Sequence, residues 1–163
     1  MAAPDPDNAR QRLLEVVGNS IYHALGLKET LENERRALEQ QDMDGLNSAV
    51  ESKSLCISAL RQLDDERSQL CVVSGFAAGT DQMQQMSDWC DDDDSVANAW
   101  QHLMEIAVEC NALNITNGAI IQGRKLQIET SLSIIRGGVP QADTYNRGGA
   151  DSHVPSQQAL AEA

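Results

Sequence analysis

Between Val96 and Ile135 a mostly apolar seam recurs at three- and four-residue steps through Trp100, Leu103, Ala107, Cys110, Asn114, Asn117, Ile121, Arg124, Ile128 and Leu132, with the two Asn and Arg124 as its polar members. Only an α-helix gathers such a series on one side, because its 3.6-residue turn returns every third or fourth side chain to the same face. Asp94 or Ser95 is placed to cap this helix, Asp91 to Asp93 sit at its positive end, and Gly137-Gly138 followed by Pro140 stop it. About 40 residues at 1.5 Å each give a helix of roughly 60 Å.

A stripe that long must be covered, and two earlier segments have matching patterns. In the first, Asp5 can cap, Pro6 suits the first helical position and Asp7 favours the dipole. Leu14, Val17, Ile21, Ala24, Leu31 and Leu38 then trace a heptad-like seam, interrupted by Lys28 and Arg35 and widened by Leu13, Leu25 and Leu27. This pattern ends near Gln40. The segment from Gln41 to Gly45 breaks it, and Asp42 can cap a second helix. That helix sets Leu46, Val50, Ile57 and Leu60 on one face, extended by Leu63 and Leu70. Its wetter side holds Glu51, Lys53, Asp64, Asp65, Glu66 and Arg67, and it fades around Gly75 and Gly79.

A short connection between long helices implies antiparallel neighbours. The stretch from Gly79 to Asp94, with Met83, Met86 and Trp89 among polar residues, reads as a connector docked at a few points, or as a short element folded over the bundle. The expected fold is all-α: an elongated antiparallel three-helix bundle or coiled coil over residues 1–137, with helices near 5–40, 43–73 and 95–136. Residues 138–163 offer only Val139, Val154 and Leu160 as aliphatic anchors and read as a flexible tail that cargo could order.

Composition narrows the function. Aromatics are 3% of 163 residues against 41% hydrophobics, a mixture that suits helix seams better than sheets. With 12 basic and 25 acidic residues the formal charge is −13, which leaves no footprint for nucleic-acid phosphates or anionic lipid. Met1 to Asp7 lacks a basic region leading into an apolar core, and Leu70 to Ala78 is too short for a membrane span, so a cytoplasmic protein without membrane insertion is expected. Cys56, Cys71, Cys90 and Cys110 form no Cys-x-x-Cys pair and read as small hydrophobes.

Catalytic and metal signatures are weak. Asp91 to Asp94 lacks the alternating ligands, glycine turn and distal Glu of a calcium loop. His102 and Glu105 reverse the Glu-x-x-His order of dimetal bundles, and no partner motif accompanies them. No nucleophile elbow, phosphate loop or Rossmann fingerprint occurs, and Asn114-Ile115-Thr116 matches a glycosylation acceptor that a cytoplasmic helix makes irrelevant. A non-catalytic protein without cofactor or metal is therefore expected. The more informative feature is Asn111, Asn114 and Asn117 with Gly118 directly after them, poor helix formers in the middle of a long helix. They read either as a register device, with buried Asn and close helix approach at Gly118, or as the polar end of a partner groove.

The series Asn114-Ile115-Thr116-Asn117-Gly118-Ala119-Ile120-Ile121 resembles the Asn-x-x-Asn-Gly-x-Leu/Ile-Ile core of the flagellar FlgN chaperone family. Tyr145 and Gly148 resemble that family's Tyr-x-x-Gly element. The hairpin residues Leu31, Glu34, Ala37, Leu38, Leu46, Lys53, Leu60, Leu63 and Arg67 fit in the same order. The resemblance implies a cytoplasmic type III secretion chaperone that binds the C-terminal helices of hook–filament junction proteins, prevents premature assembly and delivers them for export. Export-apparatus components are further implied partners, with the protein a monomer or weak homodimer. Position by position, the implied cargo face is Asn114, Asn117, Ile120, Ile121, Arg124, Ile128, Leu132 and Ile135, with Tyr145 as a clamp. The competing reading is a non-catalytic coiled-coil adaptor or structural component of the flagellar export apparatus.

Overall fold

A computed structural model describes residues 5–77 and 81–137. Among them are four α-helices and no strand: α1 Pro6–Gln40, α2 Met43–Val73, α3 Gln82–Cys90 and α4 Ser95–Ile135. The all-α class is as the sequence implies, but three long helices are joined by a short fourth in the stretch expected to be a connector or a short element. The expected tail, 138–163, lies outside the described residues. The chain forms two compact units, Met1–Lys125 and Leu126–Ala163.

Local chemistry sets the helix ends. Asp5 accepts from the Asp7 backbone N–H at 3.3 Å, and Asp42 accepts from that of Gly45 at 3.0 Å. Gln41 adopts a left-handed φ of 59°, which turns the chain between α1 and α2 within two residues. Gly75 has φ +96°; its N–H donates to the Val72 carbonyl and that of Phe76 to Cys71, each at 3.0 Å, a Schellman stop. Gly137, at φ +79°, ends α4 with the same contact to Ile134. The start of α4 differs from expectation. Asp94 is itself left-handed, with φ 57°, and the cap is Asp91, whose carboxylate accepts from the backbone N–H groups of Val96 at 2.8 Å and Ala97 at 3.1 Å.

Cross-helix contacts fix the directions within the first unit. Lys53 meets Glu34 just across the turn, while Cys71 packs in the core with Leu13 and Val17, so α1 and α2 are antiparallel. Arg10 meets Asp91 and Asp93, Lys28 meets Glu109, and Asn117 meets Leu31, so α4 runs parallel to α1 and antiparallel to α2. α3 supplies Met83, Met86 and Cys90 to the core beside Leu13, Val17, Cys71 and Val96. The rest of the core runs along α1 and α4 through Ala24, Leu31, Leu103, Ile106 and Cys110.

The inward faces depart from the heptad seam in detail. Ile106 is buried, while Ala107 and Asn114, both on the expected seam, are exposed. Val96, Leu103, Cys110 and Asn117, each seven residues apart, stay buried, so one column of the seam faces inward while the other, with Ala107 and Asn114, lies outside. On α2, Val50 is exposed and Ala49 is buried in its place. On α1, Leu13 lies at the centre and Leu25 outside.

Candidate functional site

The polar members of the α4 pattern separate sharply. Asn117 is 1% exposed; its Nδ2 donates to the Leu31 carbonyl and to Glu34 Oε2, both at 2.8 Å. Arg35 Nε donates to Asn117 Oδ1 at 3.3 Å, and Lys53 Nζ reaches both Glu34 oxygens at 3.3 Å. One asparagine thus ties α4 to α1, and through Glu34 to α2. Satisfied groups of this kind in an apolar seam act chiefly on register, since any shift along the helix would strand a buried carboxylate. Asn111 and Asn114 are exposed. Gly118 is not a point of close helix approach, because a Cβ there would meet nothing within 4 Å.

The sequence placed Lys53 and Arg67 on the wet side of α2, and both turn inward. The Lys53 side chain is only 25% exposed and that of Arg67 15%. Arg67 bridges Asp64 at 2.9 Å, donates to Gln82 of α3 at 3.4 Å and lies 5.2 Å from the Trp100 ring centroid of α4. Long stems let a charged head reach a partner far along the chain while the methylenes pack. Sequence did contain a signal here: Glu34, Lys53 and Arg67 all belong to the hairpin pattern, and each now has a physical task.

A second ionic cluster clamps the α3–α4 corner. Arg10 reaches Asp93 at 2.6 Å and Asp91 at 3.4 Å, and the Asp91 side chain is buried. Hydrogen bonds from Ser95, with Arg10 next in effect, hold the Asp93 carboxyl down at about 2. Two of the four consecutive aspartates thus work as caps. Among the described residues, no group of three His, Cys, Asp or Glu side chains is arranged to hold a metal ion. Burial pushes the Cys71, Cys90 and Cys110 thiols up, away from the reactive thiolate.

The remaining residues of the implied cargo face fall into two sets. In the first unit, Asn114 and Ile121 are exposed and Ile120 and Arg124 half-buried, while Asn117 offers no surface. In the second unit, Ile128, Leu132 and Ile135 are 60%, 43% and 80% exposed, and their four- and three-residue spacing puts them on one face. Leu126 and Ile134 are exposed as well. Contiguous apolar surface of this kind is uncommon on proteins that act alone. Tyr145 lies outside the described residues. No helix of the described residues is long and apolar enough to cross a membrane.

A family model described as FlgN protein matches residues 9–153. No curated protein and no solved structure gives a significant match.

Proposed function

The chain belongs to the FlgN family of flagellar chaperones, and from that premise we propose that it binds the C-terminal helices of hook–filament junction proteins in the cytoplasm, prevents their premature assembly and delivers them to the export apparatus without catalysing a reaction. The observation that carries this reading is the apolar face of Ile128, Leu132 and Ile135, exposed to solvent on a helix. An amphipathic cargo helix laid along such a face would bury its own stripe and cover this one. Each aliphatic side chain fully buried contributes about 1.5–3 kcal/mol. Much of that is offset by the ordering of both partners, which keeps capture reversible. In this reading Asn114, Ile120, Ile121 and Arg124 extend the contact, Asn117 acts by positioning α4, and Tyr145 closes over the bound helix.

The test is a calorimetric titration with the isolated C-terminal segment of a junction protein, with circular dichroism to monitor helix gain. Saturable one-to-one binding is expected, and the pair Ile128→Asp with Leu132→Asp should weaken it by at least about tenfold while the protein stays folded. Unchanged affinity in the double variant would remove the assigned face. Absence of binding to either junction protein would favour the structural adaptor.

A further inference from the structure

A separate apolar groove lies wholly within the first unit and uses none of the residues assigned to cargo. Ala24 and Leu27 of α1 form its floor, Leu60 and Asp64 of α2 one wall, and Met104 and Ala107 of α4 the other. Its volume of about 250 Å³ falls below the range of roughly 300–1,000 Å³ usual for small-ligand sites. It has room for one or two anchoring side chains rather than a cofactor. The Arg67–Trp100 stack ties the walls together. Met104, 40% exposed, stands at the rim, and Val108, 70% exposed, continues the apolar surface one turn further.

Charge selects the occupant. Between Ser95 and Gly123, α4 carries Glu105 and Glu109 and no Lys or Arg. On α2, Asp64 lines the groove, with the exposed Asp65 and Glu66 following it in the chain. Of the cations on this helix, Arg67 is engaged by Asp64, Gln82 and Trp100, and Arg61 lines the neighbouring hollow beside Asp64 and Asp65. Of these acids, Asp64 keeps a side chain 66% exposed although it bridges Arg67, and Glu109 is 54% exposed beside Lys28. A second copy of this chain would bring the same acidic surface and a formal charge of −13 against it, and like charges brought together oppose association. We propose that this groove docks a basic amphipathic helix of another protein. Its apolar side chains, three and four residues apart, seat between Leu60 and Ala107, and flanking Lys or Arg side chains face Asp64 and Glu105. Because this surface is distinct from the cargo face, the protein can hold cargo and a second, basic partner together.

The probe is a synthetic helix of about 18 residues with Leu at i, i+3, i+4 and i+7 spacing and Lys elsewhere, titrated into the full chain at about 0.15 M salt. The expected result is saturable binding that shifts the Trp100 indole NMR resonance, with little response to a twin peptide carrying Glu for Lys. Ala107→Phe, which plugs the groove from an exposed position, should weaken binding by about tenfold, and Met104→Lys, which sets a like charge against the peptide at the rim, should weaken it as well. Ile128→Asp should leave affinity within about twofold. The proposal is overturned if both groove variants bind as the parent does, if Ile128→Asp abolishes binding, if the Lys and Glu peptides bind alike, or if neither binds. Self-association lost on Ala107→Phe would assign the groove to a second copy instead. A shift of the Trp100 resonance on removing residues 138–163 would assign it to the chain's own C-terminal segment.

Discussion

Two stretches of α4 share a 3-4 apolar spacing and differ in burial. From Val96 to Asn117 the inward positions Val96, Leu103, Ile106, Cys110 and Asn117 are covered, whereas Ile128, Leu132 and Ile135 remain open to solvent. Periodicity marks a face that can be buried; it does not say what buries it. In the first stretch α1 supplies the cover, and two of its polar residues are answered from the facing helix: Asn117 by Leu31 and Glu34, and Glu109 by Lys28. In the second, the aliphatic side chains themselves stay exposed, which is why they read as a surface kept for a partner.

The contrast can be broken first by truncation. Leu31→Ala should cost about 2–5 kcal/mol, since a side chain 1% exposed leaves a cavity. Ile128→Ala should move stability by less than about 0.5 kcal/mol. Chemical denaturation of the two variants measures this, and equal losses would mean that the second stretch is covered in solution. Next, Asn117→Ala should cost about 1–3 kcal/mol by leaving the Glu34 carboxylate and the Leu31 carbonyl short of a donor, while Asn114→Ala stays near neutral because Asn114 is exposed. A neutral Asn117→Ala would remove the register role.

The smallest effect concerns acid. The Asp93 carboxyl titrates at about 2 when folded against an ordinary value of 3.8. Its folded value is the lower one, so its contribution is complete above about pH 4 and is lost as pH falls through about 2. Asp93→Asn should therefore flatten the dependence of the urea midpoint on pH across that window. An unchanged slope would show that the pairing with Arg10 and Ser95 does not persist in solution.

Helix ends were readable because their causes are local. Asp5, Asp42, Gly75 and Gly137 act on backbone groups within a few residues of themselves. The short α3 was harder. Its nine residues include Met83, Met86 and Cys90 on one face, but no side chain caps its start and the apolar signal is brief. The inward turn of Lys53 and Arg67 was hidden for another reason: a charge reads as wet until its partner is known, and the partners stand 19 and 15 residues away at Glu34 and Gln82, with Trp100 farther still. Of the implied cargo face, the exposed aliphatic positions could be read from spacing, whereas the burial of Asn117 could not.

By itself the sequence determined the all-α class, the local stops and caps, and a family pattern that runs through most of the chain, since each depends on residue type and short spacing. Tertiary structure decided which of several equivalent stripes is covered, which asparagine lies inside, and that α2 and α4 frame an acidic-rimmed groove. Those outcomes depend on how helices meet, and a 3.6-residue repeat leaves the rotation of one helix against another to be settled by packing and by partners distant in the chain.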